Sequence, residues 1–271
     1  LDLFSSIIVK SLMSISEKQP IPRAENIAMF KSNAGNIHDS RIIQGVAFRR
    51  RVLMDSLPNK LSDVKVAVIS GDIKIRKMTR TAEIQITSAD QLEAFVDAEQ
   101  DRKNNISQSL VDSGASLVLC GGEIDRDILH NLADNNILAI GELDSSEIEN
   151  SASATGAKIV DSIADIERKD LGFCGSVLWE RNEASDMVED IIRIDGCKKP
   201  GLVTIEVGGA GEIATEEIIR GLHDGLRAVS LAIEDQEILP GGGAIHSRIA
   251  NAVRVSSESE PGRARLAMEA F

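Results

Sequence analysis

The sequence predicts an α/β protein. Three observations carry that reading. Short aliphatic runs alternate with stretches of helical pattern. The apolar fraction is 42% of 271 residues, enough for one large domain or two to three small ones with a real core. Two glycine turns, Gly208-Gly209-Ala210-Gly211 and Gly241-Gly242-Gly243-Ala244, stand where helices are expected to start. Backbone N–H groups at such turns can reach a phosphate or a ribose. Asp224, on the helix expected between them, could orient a metal-bound phosphate or a water.

Leu3, Ile7, Ile8, Leu12 and Ile15 recur at helical spacing, so residues 1–15 read as an amphipathic helix. A signal peptide would need a basic leading region and a small-residue cleavage site, and neither stands here. The chain opens on Leu rather than Met, and it is expected to be a piece of a longer protein. Residues 17–25, with Pro20 and Pro22, read as a connector. Short strands are expected at 26–31 and 42–48 around a polar turn at 33–39. A loop at 58–63 and a strand at 65–70 follow. Arg49-Arg50-Arg51 is a small basic cluster of the kind found on a solvated rim.

Ile84 and Ile86 alternate over a strand at 83–87. Ser88 and Gln91 have capping-box spacing, so a helix should begin there and run to about residue 113. Residues 99–105 hold no apolar side chain. Either the helix projects from the body or it breaks in two. Next come a strand at 116–120, a helix at 124–135, a strand at 137–140, a helix at 145–154 ended by Gly156, and a strand at 158–160. Residues 172–181 and 187–195 read as an antiparallel pair, and 202–207 as a strand. A helix from 213 to about 232 carries Ile218, Leu222, Leu226, Val229 and Ile233 on one stripe. Asp224 lies nearly opposite, beside Glu217, Arg220 and Arg227, which on this pattern alone makes it a solvent-facing carboxylate. Gly221 and Gly225 each cost up to about 1 kcal/mol in a helix interior. Close packing of another backbone would explain them, and so would plain tolerance. Residues 256–262 read as a Ser/Glu-rich linker.

Composition excludes several functions. A net charge of -13 argues against nucleic acid or an anionic membrane as partner. With six Phe, one Trp and no Tyr, the core must be aliphatic, and stacking of bases is not expected. No run of 18 apolar residues exists to span a membrane as a helix. Cys120, Cys174 and Cys197 form no CxxC and do not cluster with the four His. No zinc site is expected, and a reducing cytosol is the natural compartment. Cys120 reads as a buried small hydrophobe. Gly209, Gly211 and Ala214 match G-x-G-x-x-A, but no second strand ending in an acidic residue follows at the dinucleotide-binding distance. A nicotinamide enzyme is therefore a weaker reading than a strand-to-helix turn that needs small residues.

Taken together, the segments resemble a group II chaperonin, the thermosome and its eukaryotic cytosolic relatives. Leu222-His223-Asp224-Gly225-Leu226 is similar to that family's Leu-His-Asp-Ala-Leu helix motif, and the distance to Gly241 fits the spacing to its Gly-Gly-Gly-Ala motif. The strand and Gly-Gly turn at 204–209 fit as well. So do Asp195-Gly196-Cys197-Lys198, Ala154-Thr155-Gly156-Ala157, Asp170-Leu171-Gly172, Ser113-Gly114-Ala115, and the stretches 81–87 and 42–46. The resemblance runs in order along essentially the whole chain.

It implies an α/β fold in which an apical domain, a sheet core flanked by helices with a helical protrusion, is nested in an α/β intermediate domain, followed by a helical equatorial remnant. Residues 1–44 and 197–236 would be the two halves of the intermediate domain, 45–196 the substrate-binding apical domain, and 237–271 the start of the second equatorial segment. The polar-centred helix after Ser88 falls at the family's lid protrusion. The implied function is an ATP-dependent chaperonin that encloses and folds unfolded polypeptides in a double ring of subunits in the cytoplasm. Asp224 matches the catalytic aspartate that orients the attacking water, and Gly241, Gly242 and Gly243 match the turn contacting the nucleotide. ATP and magnesium are the implied cofactors, with the phosphate loop and the metal-binding aspartate preceding residue 1 and no metal ligand within this chain. The chain by itself is thus expected to hydrolyse ATP poorly. Candidate polypeptide contacts are Phe95 and Val96 on the protrusion and Ile128 and Leu132 on the 124–135 helix, for which packing against the sheet is an equal alternative. Val207, Ile219, Gly225 and His246 depart from the family's usual residues, which puts ATPase rate and ring contacts in question rather than the fold. A rival reading is an ATP-independent holdase built on the apical segment.

Overall fold

The computed structural model describes residues 2–16, 22–32, 35–52, 59–75, 89–182, 189–198, 200–209 and 211–270. The expected strand at 83–87 and Ser88 lie outside them. In chain order the elements are α1 (Asp2–Ser16), β1 (Ile27–Lys31), β2 (Arg41–Ile43), β3 (Val46–Arg50), β4 (Lys60–Ile69), α2 (Ala89–Ser113), β5 (Leu117–Cys120), α3 (Arg126–Asp134), β6 (Leu138–Ile140) and α4 (Ser145–Thr155). There follow β7 (Ile159–Val160), β8 (Gly172–Asn182), β9 (Glu189–Asp195), β10 (Val203–Val207), α5 (Glu212–Asp235), α6 (Ala244–Ser257) and α7 (Arg263–Ala270).

Two sheets organise them. A seven-stranded sheet runs β3-β9-β8-β4-β5-β6, with β7 on β4. Its β4–β5–β6 part is parallel and its β3–β9–β8–β4 part antiparallel. Parallel strands need crossovers, and α3 and α4 follow β5 and β6 as the alternation required. Both faces are covered, so β5 and β6 are buried throughout. Leu110 of α2 and Ile128, Leu129 and Leu132 of α3 close one face over Ala67, Ile69, Val118 and Ala139. On the other face Ile148, Ala152 and Ala154 of α4 lie in one cluster with Val66, Val68, Leu117, Leu119 and Trp179. The core is aliphatic, as the scarcity of aromatics required.

The second sheet has three strands in the order β1-β10-β2, β1 parallel to β10 and β2 antiparallel. Val203, Ile205 and Val207 of β10 pack with Ile7, Ile8, Leu12 and Ile15 of α1 and Leu222 and Leu226 of α5. The stripe expected on α5 is thus real over two turns, but at its C-terminal end Ile233 is exposed.

Local chemistry sets the helix ends. Asp144 and Glu147 form a capping box at α4, which Gly156 closes in the left-handed conformation (φ 76°). Asp125 accepts from the Asp127 N–H to start α3. α2 runs unbroken through its polar middle. Its C-terminal part is anchored by Leu110 and Ser107, while residues 93–102 are exposed, so the projecting alternative holds.

Three expectations need correction. The single strand at 42–48 is two strands in different sheets, parted at Gln44-Gly45. A Cβ at Gly45 would overlap the Ile194 carbonyl oxygen, so the chain crosses between sheets where only glycine fits. The loop expected at 58–63 is already β4 from Lys60, because Lys60, Ser62 and Val64 take ladder partners on β8 despite their polar neighbours. The linker expected at 256–262 is shorter, since α6 continues to Ser257 and α7 begins at Arg263.

Candidate functional site

α5 positions Asp224. Leu222 and Leu226, two residues to either side, are buried at 2% and 0% exposure, which turns Asp224 and His223 outward. Among the described residues Asp224 has no hydrogen bond or ion pair, whereas Arg220 pairs with Glu217 at 2.5 Å on the same helix. Residue 225 faces α1: a Cβ there would stand 2.5 Å from Ile8 Cδ1, the movable end of that side chain. Gly221 has no described atom within 4 Å of a Cβ position, so it is tolerated rather than required. Neither glycine meets another backbone: Gly225 faces the end of the Ile8 side chain, and Gly221 faces open space.

The turn before α5 is built by the chain itself. A Cβ at Gly208 would meet the Asn36 carbonyl, and one at Gly209 the Thr215 hydroxyl, which donates to the Gly211 carbonyl at 2.8 Å. These glycines serve strand-to-helix packing. The turn before α6 is different. Gly242 and Gly243 adopt φ of 68° and 80°, and no described atom lies within 4 Å of a Cβ at Gly241, Gly242 or Gly243. Gly243 caps α6 without a side-chain hydrogen bond; the Ala244 N–H donates to the Gly241 carbonyl at 3.4 Å, which leaves the next N–H groups of a 14-residue helix available. A donor set of this kind is able to receive an anionic group. The turn and Asp224 are both exposed, Asp224 in the middle of α5 and the turn between α5 and α6.

A model of the TCP-1/cpn60 chaperonin family matches residues 1–271. The chain belongs to this family. It is 32% identical over 274 residues to a thermosome alpha subunit of Archaeoglobus fulgidus, covering 100% of the chain and 50% of that protein. It is 34% identical over 247 residues to a thermosome subunit of Pyrococcus horikoshii, covering 91% and 44%. The open-state monomer of a group II chaperonin from Methanococcoides burtonii superposes with a TM-score of 0.68 at 22% identity, covering 98% of the chain and 60% of that one. The fold is therefore that of a group II chaperonin subunit. This chaperonin chain spans about half the length of the curated relatives it matches.

The four polypeptide-contact candidates divide. Phe95 and Val96 are exposed at 49% and 56% on α2. Ile128 and Leu132 are fully buried, packed with Leu110, Val118 and Ala139. That corrects their candidacy: they offer no surface in this conformation, because the apolar side of a nine-residue helix is spent on the sheet. Of the departures, Val207 is core and Ile219 packs at the edge of the same cluster. His246 is exposed on α6.

Sequence reasoning missed a charged cluster where the sheets of this chaperonin chain meet. Glu206 of β10 is 3% exposed and accepts from Arg193 of β9 through Nε at 3.0 Å and Nη2 at 2.7 Å, and from Arg41 Nε at 2.8 Å. Arg193 Nη1 also donates to Glu180 at 2.6 Å. Burial pushes the Glu206 carboxyl up, but the hydrogen bonds from Arg193 and Arg41 outweigh it and hold the group below the usual glutamate range. The available signal was a Glu inside Val-Thr-Ile-Glu-Val and an Arg inside Ile-Ile-Arg-Ile. The cysteines do no acid–base work. Burial pushes Cys120 up to about 11 and Cys174 and Cys197 up to about 12. Among the described residues there is no cluster of His, Cys, Asp or Glu able to hold a metal. No helix among them is long and apolar enough to cross a membrane.

Proposed function

We propose that this chain is the apical and intermediate part of an ATP-dependent chaperonin subunit that binds unfolded polypeptides inside a ring of like subunits. The observation that carries it is Asp224: a carboxylate with no partner among the described residues, held outward on the one helix whose other face is locked to α1 and β10. Such a group is free to meet a nucleotide on a neighbouring element and to accept a hydrogen bond from an attacking water. Magnesium-bound ATP supplies the transferable γ-phosphate. Gly241–Gly243 offer it backbone donors and no steric obstacle. The two crossings between sheets, at Gln44-Gly45 and between β9 and β10, support the boundaries 44/45 and 196/197, and the end of α5 at Asp235 supports the division of 197–236 from 237–271. Phe95 and Val96 on α2 are the polypeptide contacts we retain, and the cytosol is the compartment we assign.

The test is a refolding assay with the full-length protein and an aggregation-prone client. With ATP, the wild type should capture and refold the client, and Asp224→Asn should capture it without refolding it. Equal refolding by the variant would sink the ATP-driven reading of Asp224. Suppression of aggregation that never depends on ATP would favour a holdase.

A further inference from the structure

Two chain crossings join the sheets, and they are tied to each other. The Cys197 N–H donates to the Gln44 carbonyl at 2.9 Å, and the Gln44 N–H to the Asp195 carboxylate at 2.8 Å. Gly45 and Gly196 (φ 72°) stand at the two crossings. A few such residues at the ends of elements can absorb rotation between two bodies.

Beside this hinge, three guanidinium groups stand with two carboxylates. Glu206 of β10 accepts from Arg193 of β9 and from Arg41 of β2, and Glu180 of β8 also accepts from Arg193. Arg41 belongs to the same small sheet as Glu206, so the two move together. Arg49 of β3 has no ion pair among the described residues. Its Nη2 donates to the Lys31 carbonyl at 2.6 Å, but its buried Nε has no acceptor. A buried N–H left without an acceptor is costly and calls for an explanation. The Arg49 Cζ lies 5.5 Å from the centre of the Phe30 ring, and Phe30 is registered against Glu206 on the neighbouring strand. Arg193 is registered against Ala47. Arg49 and Arg193 therefore project from one face of adjacent strands at diagonal positions, where Cβ atoms are about 7–8 Å apart.

We infer that Glu206 has two seats, Arg193 and Arg49, and that the hinge beside it has two set positions. In the first, the one in this structure, Glu206 sits on Arg193 and the Arg49 Nε is orphaned. In the second, Glu206 sits on Arg49. The exchange does not strand Arg193, because Glu180 keeps its Nη1. Each guanidinium then has one carboxylate, and the orphaned donor has its acceptor. Both positions are paired, so the joint steps between two orientations instead of loosening. A water on the Arg49 Nε is the rival account, and it predicts one seat only. The two positions follow from the joint alone and need no nucleotide.

The experiment measures the distance between the two bodies in the full-length protein. Nitroxides are attached through Glu149→Cys on α4 and Ala228→Cys on α5, both exposed positions, and labelled chains are diluted into unlabelled ones. The native cysteines are buried. Double electron–electron resonance should give one dominant distance with the joint otherwise intact. Arg193→Met should shift it to a single second distance, as narrow as the first. Adding Arg49→Met should abolish that second distance and leave a broad spread, and Glu206→Gln should give the same spread. Arg49→Met alone should keep the first distance. If Arg193→Met fails to fold, Arg193→Lys keeps the charge without the fork. It should populate both distances, and Arg49→Met should remove the second. An unshifted or already broad distribution in the Arg193 variants overturns the second seat. So does a second distance that survives Arg49→Met.

Discussion

The seven-stranded sheet and the joint beside it are held by opposite means. The sheet is covered on both faces by aliphatic side chains, and its parallel strands β5 and β6 are apolar and buried throughout. At the joint, β10 shows Val203, Ile205 and Val207 to the α1–α5 layer, and the intervening Thr204 and Glu206 point to the larger sheet. Thr204 donates to the Gly45 carbonyl at 2.8 Å, and Glu206 is held by Arg193. Arg49 of β3 adds a hydrogen bond to the Lys31 carbonyl at 2.6 Å and stacks over Phe30 at 5.5 Å. Volume holds the body together, and directional pairs hold the joint. A directional joint fixes one orientation while its pairs are made and releases it when they break, which apolar packing cannot do so sharply.

The sharpest way to break this contrast is to remove one partner of the buried pair. Glu206→Ala should cost about 3 kcal/mol, because it leaves Arg193 Nε and Nη2 without their buried acceptor and only Nη1 paired, to Glu180. Replacing the pair together, Arg193→Met with Glu206→Leu, should return most of that stability while loosening the orientation of the sheets. Urea unfolding midpoints measure the first effect, and proteolysis at the crossings the second. A loss near zero for Glu206→Ala would mean the joint is packed rather than paired. In the body, Leu132→Ala should cost about 2–5 kcal/mol through the cavity it leaves, with no change in sheet orientation.

Acid should separate the two regions as well. The Glu206 carboxyl sits below its ordinary range, so its contribution is complete above about pH 4.3, the unfolded value, and is lost as pH falls through the lower folded value. Glu206→Gln should flatten that part of the stability curve. An unchanged acid limb in this variant would show that Glu206 gains nothing from its charge.

Much of the body was legible in the sequence because its signals are local. The capping box at Asp144 and Glu147, the left-handed Gly156 and the short aliphatic strands each announce themselves within a few residues. The joint was not legible, because its partners meet only after folding. Arg193 and Glu206 lie 13 residues apart on different sheets, and Arg41 lies 165 residues from Glu206. The break at Gly45 depends on the carbonyl of Ile194, which no local pattern names. Ile128 and Leu132 were ambiguous for the same reason: an apolar helix stripe looks alike whether it faces a sheet or a client. Asp224 was legible as an outward residue from the stripe opposite it; the role proposed for it comes from the family resemblance.

The smallest effects divide the two helix glycines. Gly225→Ala should cost no more than about 1 kcal/mol, since only the end of Ile8 on α1 must shift to admit its methyl group. Gly221→Ala, facing open space, should stabilise by about 0.5–1 kcal/mol. Equal effects at the two positions would refute the close approach of α1 to α5.

The central functional claim is that Asp224 stands outward to act on water at a bound nucleotide. Single-turnover ATP hydrolysis by the full-length protein, wild type against Asp224→Asn, tests it most directly. The change is nearly isosteric and the residue is exposed, so folding should be spared. The expected result is a fall of about a hundredfold or more in the hydrolysis rate, with nucleotide affinity within about threefold. An unchanged hydrolysis rate with bound ATP would contradict the assignment.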